Sequence, residues 1–458
     1  MGQPFGWCSG AGGWPLKPRS VSALPAIETA EVTALTLEGS GVLAPGGKRV
    51  LVPGALAGEE VTFQRRRRRR NYDEGVLVEV RRPSPDRVIP ACEYFGRCGG
   101  CSLQHLSPDA QLGMKQTTLL DSLSRIADLQ PAEVLPPVHG AVWGYRRRAR
   151  LAVRHVERKG RVLVGFREHE KPWVVDMLTC ATVEPAISRL IEPLSSLIGT
   201  LSIRARLPQV EATVADNATA LVFRVLDVPT SADRAQLAQF SASQGVRVYL
   251  QPGNPESVVA LHPEQPVDEL YYRLPAFDLA LTFGPTDFIQ VHGEVNRQMV
   301  DQALRLLAPA AADRVLDLYC GIGNFTLPLA RHAGEVLGLE GSVAMIRRAQ
   351  HNATLAGLST ARFIEADLSG AGAEGAWTRE RFDLVLLDPP RTGAVELLPA
   401  LGKLAARRIV YVSCHPGTLA RDAGLLVREH GYRLVSAGVM DMFPHTSHVE
   451  SMALFERP

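Results

Sequence analysis

The spacing of apolar positions changes character several times along the chain. From about residue 26 to 83 apolar residues alternate in short runs (ETAEVTALTLEG, GVLAPGGKRVLVPG, GVLVEVRRPS), divided by turns at Pro45-Gly46-Gly47, Pro53-Gly54 and Ala57-Gly58. Short alternating strands with Gly and Pro punctuation predict a small antiparallel barrel over 26–83. Residues 107–129 carry a helical period instead. Ser107 and Pro108 suit an N-cap and first turn, and Leu112, Leu119, Leu120 and Leu123 recur at helical spacing. Alternation returns between about 137 and 282 (RARLAVRHV, RVLVGFRE, QVEATV, ALVFRVL), so 84–282 is expected to be a mixed, β-rich central domain. From 283 to 458 the buried runs VLDLYC, VLGLE, RFIEAD, LVLLDPP and RIVYVSC alternate with the helical windows VNRQMVDQALRLL and VAMIRRAQHNATLAG. That alternation predicts βαβ units on a parallel sheet, an α/β domain.

Residues 1–25 are rich in Gly, Pro and Trp and predict a disordered extension. They lack the basic and apolar regions of a signal peptide. No apolar run approaches the ~20 residues of a membrane helix. Charge is nearly balanced, 50 Lys+Arg against 48 Asp+Glu, for a net +2. The balance conceals segregation. Residues 61–70 hold six Arg and no acid, and 145–171 hold eight Arg and two Lys against three Glu, leaving −11 for the remainder. A basic loop on a small barrel and a basic window in the next domain point to RNA phosphates.

The run Val315–Phe325, VLDLYCGIGNF, reads as a buried strand, a glycine turn and a helix start, where backbone N–H groups can approach a ligand. Asp317 before the turn suits a ligand ammonium. Glu340, which ends the next strand, suits ribose hydroxyls, and Asp367, which ends the strand after it, would lie near an adenine. Asn324, Phe325 and Thr326 follow Gly323, where a dinucleotide fold would more typically place a third glycine. The pattern resembles the S-adenosylmethionine pocket of Rossmann-like methyltransferases.

Two further strands end in chemistry. LLDPPR places Asp388, and YVSCHP places Cys414, at the carboxyl edge where ligands bind in open α/β sheets. C5 of uracil becomes nucleophilic only after a thiolate adds to C6, and a base must then remove the C5 proton. Cys414 and Glu450, the latter in MFPHTSHVES, supply that pair. Cys320 inside the glycine turn is the rival nucleophile and would crowd the methyl donor. His445 and His448 are expected to orient their segment rather than bind metal. Seven cysteines in a chain of this length argue against a secreted disulfide framework. The spacing Cys92-x5-Cys98-x2-Cys101 with a distant Cys180 fits either a four-thiolate zinc site or an iron–sulfur cluster.

FGPTDFIQV (283–291), VLDLYCGIGNFTLPLA, LLDPPR, YVSCHPGTLARD and DMFPHTSHVES together resemble the RNA uracil-5-methyltransferases, and within them the 23S rRNA type that carries an iron–sulfur cluster. The resemblance runs from about residue 26 to the end. It implies a Rossmann-like methyltransferase domain, an OB-like TRAM barrel that binds RNA, and a central domain holding a [4Fe–4S] cluster on Cys92, Cys98, Cys101 and Cys180. It implies Cys414 as nucleophile, Glu450 as base, and S-adenosylmethionine contacts from Gln290, Tyr319, Asn324, Glu340, Asp367 and Asp388. It also implies 23S rRNA as substrate, a cytoplasmic location, and a monomer with no membrane or obligate protein partner. The tRNA-modifying relatives are the alternative, and a non-catalytic RNA-binding iron–sulfur sensor is the remote one. His415 departs from the Asn common in the family, which puts local hydrogen bonding in question.

Overall fold

The computed structural model describes residues 26–262, 269–369 and 375–457; the expectation for residues 1–25 lies outside them. Two bodies are present: residues 26–36 with 40–84, and residues 37–39 with 85–457.

The first is a six-stranded sheet. In spatial order its strands are Ile27–Glu31, Glu60–Arg68, Asp73–Arg82, Val50–Pro53, Ser40–Leu43 and Ala34–Leu35. Val32, Leu43, Val50, Val52, Val61 and Phe63 form its core. The arginine run is not a loop, as its charge suggested. Arg65 to Arg68 extend the strand Glu60–Arg68, and only residues 69–72 turn the hairpin. Arg65 donates to Glu28 at 2.7 Å and to Asp73 at 2.7 Å, which anchors the base of the hairpin, while Arg66 to Arg70 are exposed.

In the second body a helix α1, Pro108–Ala127, starts at Ser107, whose side chain accepts from the Ala110 N–H. Its buried row is Gln111, Lys115, Leu119, Leu123 and Ala127, one face at i+4 spacing. Leu112 and Leu120 flank this row half-buried, so the seam is narrower and more polar than the leucine pattern suggested. The central six-stranded sheet includes Arg148–Val156, Gln209–Val214 and Thr219–Arg224. It is mostly antiparallel, but Thr219–Arg224 and Val246–Gln251 run parallel across the helix Ser231–Gln244.

The carboxy-terminal sheet has the parallel strands β1 (Arg314–Leu318), β2 (Glu335–Glu340), β3 (Ala361–Glu365), β4 (Leu384–Leu387) and β5 (Arg408–Ser413), followed by β6 (Arg433–Met440) and β7 (Glu450–Glu456). Their order is β3-β2-β1-β4-β5-β7-β6, with Glu133–Val134 added beyond β6. β7 runs antiparallel to β5 and β6. The order reverses between β1 and β4, where the loops diverge and open a crevice at the carboxyl ends. The hairpin Leu270–Phe283 packs into the same core as this sheet, through Leu270, Tyr272, Leu281 and Phe283.

Candidate active site

β1 delivers the chain into the turn Tyr319–Gly323. Tyr319 takes φ +65°, an unusual value for a residue with a side chain, and Gly321 and Gly323 take φ +56° and +95°. A Cβ on Gly321 would meet nothing within 4 Å, so the turn is open on that side. The Gly321 N–H donates to Glu340 Oε2 at 3.2 Å, and the Ser342 N–H to Oε1 at 3.0 Å, so the carboxylate that ends β2 is fixed beside the turn. Asp317 is fully buried. Its Oδ2 accepts from the Thr326 hydroxyl at 2.5 Å and its Oδ1 has no partner. Burial pushes its carboxyl up to about 7. An orphaned buried carboxylate oxygen beside an open turn fits the ammonium group of a methionine-type ligand.

The predicted contacts differ in availability. Asn324 exchanges two bonds with Asn296, at 2.9 and 3.1 Å, and accepts from the Tyr272 hydroxyl at 2.9 Å, so its amide braces the turn. Asp367 is exposed two residues beyond β3, with its carboxylate on the Ser369 N–H and hydroxyl. Gln290 is half-buried in the segment before helix α2 (Gly293–Leu307). Arg148 pins that segment by donating to the Thr286 carbonyl at 2.9 Å. Burial pushes Asp388, just past β4, up to about 7.

Cys414 follows the last residue of β5. Because β7 is antiparallel, its first residue, Glu450, lies at the same edge as the ends of the parallel strands. The register pairs Ser413 with Ser451, so Cys414 and Glu450 are the next residues beyond that pair at one edge of the sheet. Burial, then the facing Glu450 and Asp388, push the Cys414 thiol up to about 11. Burial and Asp388 push Glu450 up to about 8. His415 does what a shorter amide would do: its Nδ1 accepts the Thr418 N–H at 3.2 Å and caps helix α3 (Pro416–His430). Cys320 is buried against β2, and a Cβ on Gly338 would sit 2.9 Å from its sulfur. Its thiol points into the packing of the sheet.

Cys92, Cys98, Cys101 and Cys180 line one cavity of about 200 Å³, walled by Phe95, Tyr145, Phe166 and Met177. The Gly100 N–H donates to Cys98 Sγ at 3.4 Å. Burial raises the Cys98 thiol and pushes that of Cys101 up to about 12, with the neighbouring cysteines adding to both. Among the described residues no group of three or more His, Cys, Asp or Glu side chains is arranged to hold a metal ion. No described helix is long and apolar enough to cross a membrane.

Sequence reasoning missed Asn296, Tyr272, Gln111 and Lys115. The last two carried a signal, since polar residues stand in register with Leu119 and Leu123 on the buried row of α1.

A family model described as tRNA (uracil-5-)-methyltransferase matches residues 109–458. The 23S rRNA (uracil(1939)-C(5))-methyltransferase RlmD of Methylococcus capsulatus is 51% identical over 428 residues, 93% of this chain and 96% of the relative. The protein of the same name from Burkholderia pseudomallei is 50% identical over 419 residues, 90% of each chain. The crystal structure of Pyrococcus abyssi tRNA (uracil-54, C5)-methyltransferase in complex with S-adenosyl-L-homocysteine aligns with TM-score 0.71 and 25% identity, covering 93% of this chain and all of that one. The fold is thus that of an α/β S-adenosylmethionine-dependent methyltransferase. With the family model spanning three quarters of the chain and half-identical relatives along nearly all of it, the chain belongs to the tRNA (uracil-5-)-methyltransferase family.

Proposed function

We propose that the protein methylates C5 of a uridine in 23S rRNA through a covalent bond between Cys414 Sγ and C6 of the base. The observation that carries this reading is that Cys414 and Glu450 lie one residue past the Ser413–Ser451 pair and act on each other electrostatically, at the edge that also holds the glycine turn and Asp388. S-adenosylmethionine, when bound, supplies the methyl group, and Asp317, Glu340 and the turn Tyr319–Gly323 are the residues that would hold it. The Cys414 thiolate adds to C6 and the electron pair moves onto C5, which takes the methyl group. Glu450 accepts the C5 proton, the C5=C6 double bond re-forms, and the thiolate leaves. A stacked uracil offers no path to C6, so the target base is taken out of its stack.

The body 26–84 is read as a TRAM module whose arginine hairpin grips RNA backbone. The four-cysteine cavity suits a [4Fe–4S] cluster better than a lone zinc ion. Four thiols line one cavity, Phe95, Phe166 and Met177 wall it, and an N–H already faces a sulfur. Methylation needs no electron transfer, so the cluster's task is structural. Free thiols and such a cluster suit the reducing cytoplasm.

Mapping 5-methyluridine in 23S rRNA and tRNA from cells with and without the protein tests the substrate. One 23S site should lose its methyl group, and loss confined to tRNA would favour the tRNA-modifying alternative. For the cluster, visible absorbance should survive Cys414→Ala and vanish in Cys98→Ala, and stoichiometric zinc without iron would overturn it.

A further inference from the structure

β7 is entered through the segment 441–449, which is held by several elements outside it. Helix α1 contributes two side chains. Lys115 Nζ donates to Asp441 Oδ1 at 2.7 Å and to the Phe443 carbonyl at 3.0 Å. Gln111 accepts the His445 N–H at 2.8 Å, and its amide nitrogen lies 3.2 Å from His445 Nδ1. The N–H groups of Ser102 and Leu103, directly after Cys101, donate to the His445 carbonyl at 2.9 and 3.1 Å. The Tyr145 hydroxyl donates to the Pro444 carbonyl at 3.1 Å. His445 takes φ +64° and stacks on Trp143 at 3.9 Å.

Neutral donors can hold carbonyls in this way. Lys115 adds a charge, and its side chain is only 1% exposed, against 4% for Asp441. A buried ion pair is costly to desolvate, and well-packed apolar residues often replace one without loss of stability. Stability alone therefore does not account for a lysine here. The charged groups acting on Glu450 are Asp388 from the end of β4 and Lys115 from α1, Glu450 acts in turn on Cys414, and Asp441 is the partner of the lysine. Asp388 strengthens the hold of Glu450 on a proton and Lys115 weakens it.

We infer that Lys115 is a positioning residue for the proton-abstracting step: its buried ammonium fixes the segment leading into β7 and so sets where Glu450 meets the C5 proton. This rests on the reading of Glu450 as the base. In the step served, the C5–H bond breaks and its proton passes to Glu450. The electron pair re-forms C5=C6 and expels the Cys414 thiolate. Lys115 makes no contact with the reacting atoms and is not needed for the addition to C6.

The test uses the full-length protein in three variants: Lys115→Met, the double variant Lys115→Met/Asp441→Leu, and Lys115→Arg. The decay of the methylated protein–RNA adduct is followed in single turnover against pH. Adduct formation on RNA containing 5-fluorouridine serves as the control. Lys115→Met should form the adduct within a few-fold of the wild-type rate but resolve it about tenfold more slowly at pH 7. The pH midpoint of resolution should move up by about one unit. The double variant, which removes both buried charges together, should keep a wild-type melting temperature and show the same slowed resolution, with a smaller upward shift because the Asp441 charge is lost as well; it carries the test if the single variant fails to fold. Lys115→Arg, which retains the charge, should leave the midpoint in place. Unchanged decay and midpoint in a folded variant lacking the ammonium would overturn the inference. Glu450→Gln separates the two levels: it should stop resolution at every pH. Normal resolution there would defeat the reading of Glu450, whatever Lys115 does.

Discussion

Glu450→Gln has a consequence for Cys414 that is measurable without RNA. Residues directly opposite in an antiparallel pair have Cβ atoms about 5 Å apart. A carboxylate at that distance raises the energy of a thiolate by about 1 kcal/mol in bulk water and about 3 kcal/mol at an effective dielectric constant near 20. This corresponds to about one to two pH units in the thiol, in the direction found for Cys414, which is pushed up to about 11 by burial and then by Glu450. The two groups titrate as a coupled pair, and Glu450 is itself pushed up to about 8. Below pH 8 its carboxyl is mostly neutral, so wild type and Glu450→Gln should react alike there. Above pH 8 they should separate, the variant becoming several-fold more reactive by about pH 9.5. The assay is the rate of iodoacetamide alkylation of Cys414, read at peptide level by mass spectrometry between pH 6.5 and 9.5. Rates that coincide over the whole range, or a variant that is slower above pH 8, would refute the cross-strand pairing as the source of the shift.

Asp317 is pushed up to about 7 in the folded protein, so the unfolded chain releases this proton first and the ligand-free fold weakens as pH rises from about 4 to about 7. The stability difference between Asp317→Asn and wild type should grow over that window and level off above it; a difference independent of pH, read from urea midpoints, would reject the burial argument. Gly338→Ala would place a Cβ 2.8 Å from Phe363 and 2.9 Å from Cys320 Sγ, and overpacking of this kind costs about 1–3 kcal/mol. Its urea midpoint should fall accordingly, and an unchanged one would show that Cys320 has room to move. Replacing Arg66, Arg67 and Arg68 together by Ser should reduce the slope of log affinity for RNA against log salt by about two; an unaltered slope would remove the hairpin from the RNA contact.

What was legible in the sequence followed from local pattern. β1, β2, β4 and β5 are largely apolar runs that lead into glycine, acid or cysteine, so the residues at the ligand edge could be named from the run that precedes them. That Cys414 faces Glu450 was not legible. It depends on β7 inserting antiparallel between β5 and β6, a register set by folding and not by spacing. The arginine run misled because charge suggested a loop, while Arg65 is neutralised by Glu28 and Asp73 on other strands and the hairpin continues through it. Lys115 and Gln111 were passed over for a related reason. Each is polar in isolation, and the partners that make burial possible, Asp441 and His445, lie 326 and 334 residues away. Asn324 shows the converse: its position at the turn was predictable, but its amide is taken up by Asn296 and Tyr272.

The assignment of Cys414, rather than Cys320, as the group that attacks the uracil ring underlies every step of the proposed reaction. It is tested most directly with RNA carrying 5-fluorouridine at the target position, because fluorine at C5 leaves no proton for Glu450 to remove and arrests the reaction at the covalent stage. With S-adenosylmethionine present, wild-type protein and Cys320→Ala should both give a complex stable to denaturing electrophoresis, and Cys414→Ala should give none. An adduct that persists in Cys414→Ala and disappears in Cys320→Ala would make Cys320 the nucleophile.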